Sequence, residues 1–202
     1  MFAIIQAAGW PIWPLLFASI LAVAFIIERT FALRRSVVVP EGLLQNVVAE
    51  YRQNGISAET ITRLAAHSPL GRVLAAGLRN VRGTREGMRE AIEEAGSGVG
   101  HELERFLTSL GTIASIAPLM GLFGTIVGMI EIFGAQSPAT ANPQQLAHGI
   151  SMALYNAGFG ILIAVPAMIF YRYFRARVDS LIIEMEQQAV KLVDLVHGQR
   201  IG

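Results

Sequence analysis

The chain has 202 residues, and 15% of them are charged, against about 25% in an ordinary soluble domain. Its 15 Arg and one Lys face 15 acids, for a net charge of +1, and no basic run is long enough to track the phosphates of a nucleic acid. With no Cys, disulfides and thiolate metal sites are excluded.

The charge deficit is uneven. Residues 1–27, 106–130 and 132–171 contain no Asp, Glu, Lys or Arg. A helix that crosses a bilayer needs about 20 mostly apolar residues. The first candidate runs from Trp10 to Phe31. Trp10 and Trp13 lie at its start, where interfacial indoles belong, and Pro11 and Pro14 suit a first helical turn. A cleaved signal peptide is the competing reading, but a basic leader is missing and the segment is too long. Residues 1–35 therefore read as an outer N-terminal end followed by span one.

Residues 36–105 carry most of the charge and read as a soluble helical segment. Leu43, Val47 and Tyr51 have helical spacing, which Asn54-Gly55 ends. Ser57 is a candidate N-cap for a helix through Ala66. Another helix is expected from Pro69 to Val81, bounded at Gly83. From Thr84 onward, Met88, Ile92, Ala95, Val99, Leu103 and Phe106 keep a 3–4 spacing. That spacing predicts one long helix running into span two, with Gly96, Gly98 and Gly100 as its weak point.

Span two is expected over 106–133, and an uncharged loop over 134–145 precedes span three over 146–171. In span two, Gly121, Gly124 and Gly128 permit close helix approach, and Pro118 removes a hydrogen bond to Ala114. Thr112, Ser115, Leu122 and Thr125 fall near one face. The hydroxyls of Thr112, Ser115 and Thr125 could carry ordered water along a proton path, or simply bond carbonyls of their own helix. Span three has small residues at Gly149, Ala153 and Ala157, then Gly160 and Ala164, followed by Pro166. Asn156 is costly at membrane depth unless it faces water or a partner, and with Tyr155 beside it could support water along the proton path. Residues 172–202 form an amphipathic continuation in which Val178, Leu181, Ile182, Met185, Ala189, Leu192 and Val196 make an apolar stripe. The stripe fits packing within a subunit or between subunits equally well. Arg29, Arg34 and Arg35 follow span one, and Arg172, Arg175 and Arg177 follow span three. The positive-inside rule puts both clusters in the cytoplasm, and with them the C-terminus, leaving the N-terminus and the 134–145 loop outside.

The run Gly111-Thr112-Ile113-Ala114, continuing through Pro118-Leu119-Met120-Gly121-Leu122-Phe123-Gly124-Thr125-Ile126-Val127-Gly128-Met129, resembles the signature of the MotA/TolQ/ExbB proton-channel family. The stretch from Gly149 to Ala164-Val165-Pro166-Ala167 is similar to that family's last span. The resemblance implies an all-α, multi-pass protein of the bacterial inner membrane, with spans two and three extended as long cytoplasmic helices and five copies in a ring. It implies an ExbD- or TolR-like partner with one span and an intramembrane Asp, and a TonB- or TolA-like protein that receives the force. No cofactor or metal is implied. Thr125 matches the family's span-two threonine. Met152 stands where well-known members carry Glu, and Ala157 where they carry Thr, so no ring carboxylate can relay a proton at 152. Glu131, the remaining acid of span two, lies near its outer end.

The short chain and compact loops favour an ExbB-like subunit for TonB-dependent import. A TolQ-like role and a non-conducting membrane scaffold are the alternatives. An enzyme is disfavoured, because no nucleophile–base pair or phosphate loop stands out, and His67, His101, His148 and His197 are scattered.

Overall fold

The computed structural model describes residues 2–55, 57–134 and 143–198, and all regular structure among them is helical. Most of the 134–145 loop lies outside the described residues. In chain order the helices are α1 (Phe2–Ala8), α2 (Ile12–Ala32), α3 (Arg35–Val38), α4 (Leu43–Asn54), α5 (Ala58–His67), α6 (Pro69–Arg79), α7 (Arg85–Leu103), α8 (Leu107–Gly134) and α9 (Pro143–His197). Three stretches are long and apolar enough to cross a membrane: α2, the α7–α8 run, and α9 from Leu146. Only 17%, 28% and 22% of their apolar windows are buried within the chain. Apolar helices left this bare need lipid or neighbouring helices to cover them.

The chain forms two compact units. The first comprises the described residues of 1–28 and 106–173. Leu15 of α2 meets Ala117 of α8 and Ile163 and Ala164 of α9, with Ile113, Met120 and Phe159 packed around them. Trp10 stands edge-on to Phe123, ring centroids 5.9 Å apart.

The second unit comprises the described residues of 29–105 and 174–202. Its short helices begin on side-chain caps: Ser57 accepts from Thr60 N–H, Ser68 from Gly71 N–H and Thr84 from Gly87 N–H. Gly55, at φ 69, ends α4. Helix α6 buries Leu70, Val73, Leu74, Ala75 and Leu78. The later part of α9 buries Phe174, Val178, Leu181, Met185, Ala189, Leu192 and Val196. The C-terminal stripe is thus covered within the chain itself.

The helix expected to run unbroken from Thr84 into span two is interrupted at Glu104–Phe106. It passes through Gly96, Gly98 and Gly100 and breaks beyond them. Two interactions accompany the break. Buried Arg29 donates from Nη1 to the carbonyl of Leu103 at 2.9 Å, satisfying a helix-terminal acceptor. Phe106 takes a left-handed φ of 64 and stacks on Phe25 at 5.1 Å. A bulky residue rarely adopts that conformation, so the ring contact accompanies a local strain.

Arg35 grips Glu184 side-on, with Nε 3.1 Å from Oε2 and Nη2 2.5 Å from Oε1. The hydrogen bond from Arg35 holds the Glu184 carboxyl below the ordinary carboxylate range, against the opposing effect of burial. A lowered carboxylate pKa stabilises the fold above the unfolded value of about 4.3, and that stability is lost as pH falls through the folded value. Glu184→Gln is therefore expected to lower the thermal midpoint slightly at pH 7, as fits a partly exposed pair. The two proteins should melt together only once the pH has fallen below that lowered folded value.

Candidate functional site: the packed pair of α8 and α9

Gly121, Gly124 and Gly128 are buried on one face of α8, and that face lies against α9. A Cβ on Gly121 would stand 2.8 Å from the Asn156 carbonyl oxygen and 3.2 Å from Gly160 Cα. One on Gly124 would stand 2.5 Å from Asn156 Cγ, and one on Gly128 would stand 2.8 Å from Gly149 O and 3.3 Å from Ala153 Cβ. From the other side, a Cβ on Gly160 would lie 2.7 Å from Ala117 O. The two backbones touch directly, which small residues at four-residue intervals allow. Pro118 and Pro166 lie inside α8 and α9 without ending them. Each withholds one backbone N–H from its helix.

The hydroxyls of α8 turn to their own helix. Thr112 donates to Thr108 O at 2.8 Å, Ser115 to Gly111 O at 2.9 Å and Thr125 to Leu122 O at 2.6 Å. Each hydrogen is committed, but each oxygen can still accept. Thr125 is half-buried and forms the polar spot in a shallow groove of about 540 Å³ lined by Ile126, Met129, Ile130, Phe133 and Gly134. Glu131 is exposed near the end of the same helix.

On α9 the two neighbouring polar residues part company. Tyr155 is exposed, whereas Asn156 is 0% exposed. Asn156 Nδ2 donates to Met152 O at 2.9 Å and to Ala8 O at 2.7 Å. Met152 is also buried. The amide thus lies between Gly124 and the end of α1, away from the face that carries Tyr155. The Met152 bond is a local four-residue back-bond within α9. The Ala8 bond joins residues 148 apart, and no local pattern announces it.

The model of the MotA/TolQ/ExbB proton channel family matches residues 65–187, a span that includes all of α8 and its contact with α9. The chain belongs to that family. An ExbB-like biopolymer transport protein of Synechocystis sp. is 33% identical over 174 residues, 85% of this chain and 83% of its own length. The biopolymer transport protein exbB1 of Vibrio cholerae is 30% identical over 172 residues, 81% of this chain and 74% of its own. The Tol-Pal system protein TolQ of Pseudomonas aeruginosa is 38% identical over 98 residues, 48% of this chain and 42% of its own. A MotA/TolQ/ExbB member with three apolar spans is a multi-pass inner-membrane protein. It is an energy-transducing subunit of the ExbB/TolQ type.

Proposed function

We propose that this chain is a proton-conducting ring subunit, five to a ring, which energises TonB-dependent outer-membrane import. It acts with an ExbD-like single-span partner bearing an intramembrane Asp, and passes force to a TonB-like protein. The arginines at 29, 34 and 35 and at 172, 175 and 177 lie on the cytoplasmic side in this reading, and the N-terminus is periplasmic.

The observation that carries the proposal is Thr125, a hydroxyl with its hydrogen on Leu122 O, set in an exposed and otherwise apolar groove. Such an oxygen accepts from a protonated carboxylic acid but offers nothing to a carboxylate. A partner helix therefore rests against it more favourably when its acid is loaded with a proton. Loading and unloading then alternate the partner's fit to the ring. Ser115 and Thr112 present equivalent acceptors further along α8, and Tyr155 adds a phenol on α9. With Met152 and Ala157 in the ring, the partner supplies the titrating group.

Reconstitution with the partner in liposomes tests this directly. Proton uptake should need both proteins and should vanish when the partner's Asp becomes Asn. A complex that assembles but passes no protons would leave the scaffold reading instead. The identity with TolQ favours one second reading, a Tol-type subunit serving the envelope. Which single-span protein co-purifies from native membranes, ExbD-like or TolR-like, separates the two.

A further inference from the structure

The amide of Asn156 is wholly buried, and its two halves are treated unequally. Nδ2 serves two carbonyls, Ala8 O and Met152 O, while Oδ1 is buried with no hydrogen-bond partner. Met152, one turn earlier on α9, reaches the same corner: a Cβ on Gly9 would lie 2.9 Å from its Cε and 3.3 Å from its Sδ. Gly9, at φ 70, is the turn that carries the chain from α1 toward α2. One face of α9, at positions 152 and 156, thus seats the Ala8–Gly9 corner.

We propose that α1 is a strap latched onto α9 by Asn156 and Met152, poised to lift and uncover the Asn156 amide. Helix α1 has seven residues and no charge, far too short to persist as a helix without its seat. One neutral hydrogen bond, from Asn156 Nδ2 to Ala8 O, holds the latch closed beside the Met152 contact at Gly9. The burial of an unpartnered Oδ1 opposes it with an effect of similar size. Lifting the strap frees Oδ1 and the Ala8 carbonyl to find donors. It also opens the α1 side of the polar amide to a hydrogen-bonding helix or to water. The latch does not depend on the proton-path reading, since it uses neither Thr125 nor the partner.

The chain has no Cys, so Ala8→Cys places a single thiol under the latch, at a position now 0% exposed. In the assembled, full-length protein solubilised in detergent, where both faces are reached, that thiol should react slowly with a polar maleimide. Adding Asn156→Leu leaves the Ala8 carbonyl without its donor, and labelling should speed up about tenfold. Met152→Ala, which loosens the seat of Gly9, should act in the same direction and decides the matter if the Asn156 variant does not accumulate. Glu41→Cys, on a side chain 83% exposed, should label equally fast in every background and sets the rate of an open thiol, while an unchanged thermal midpoint reports intact folding. Equal Ala8→Cys rates with and without these changes would overturn the latch. So would an Ala8→Cys rate that already matches Glu41→Cys in the otherwise unaltered chain.

Discussion

Thr125→Ala is expected to cut proton flux through the reconstituted complex by about ten- to a hundredfold, with the ring still assembled. The alanine removes the acceptor that a protonated acid needs in an apolar groove. One lost buried hydrogen bond of that kind is worth about 1–3 kcal/mol, and each 1.4 kcal/mol is about a factor of ten in rate. Thr125→Ser keeps the hydroxyl and should retain most of the flux. Thr125→Val keeps the shape without the oxygen and should behave like the alanine. Flux that tracks side-chain volume rather than the hydroxyl would remove Thr125 from the path. The assay is acidification inside liposomes under an imposed pH gradient, normalised to complex recovered.

The second large effect concerns glycines of opposite surroundings. Gly124→Ala would drive a Cβ to 2.5 Å from Asn156 Cγ, where no real contact lies, so the helix pair must separate or Asn156 must leave its seat. Overpacking of this sort costs about 1–3 kcal/mol, and the better helix propensity of alanine, about 1 kcal/mol, offsets only part of it. Gly98→Ala is the counterpart. Nothing lies within 4 Å of a Cβ at Gly98, so there the propensity gain of about 1 kcal/mol acts alone. Thermal unfolding of the detergent-solubilised protein should move down for the first substitution and up for the second. Matching shifts would mean that the α8–α9 contact is not held by its backbones.

These contrasts show what a sequence exposes and what it hides. The long apolar helices were legible because absent charge is a local property: a span was expected over Trp10–Phe31 where helix α2 runs Ile12–Ala32, and over 106–133 where helix α8 runs Leu107–Gly134. The Ser57 cap was legible for the same reason, and its hydroxyl accepts from Thr60 N–H; Thr84, where helix was expected to resume, accepts from Gly87 N–H in the same way. The break at Glu104–Phe106 was not legible. It coincides with Arg29, 74 residues from the carbonyl it caps, while the glycines that looked weak sit inside an intact helix. The hydroxyls of Thr112 and Ser115 left two readings open by spacing alone, and both side chains bond the carbonyl four residues back. A proton-path role for any hydroxyl rests on the family resemblance and the groove around Thr125, not on periodicity. The outer seat of Asn156 joins residues far apart in the chain, so only the folded arrangement could disclose it.

Where Gly121, Gly124 and Gly128 meet α9, almost no side chain stands between the two main chains. Ordinary helix contacts absorb load by shuffling rotamers; a seam of bare backbone has none to shuffle. It behaves as a weld rather than a cushion, and the two helices tilt or turn together or not at all. Whatever motion the assembly makes must then be taken up by surfaces with movable side chains, such as the groove around Thr125.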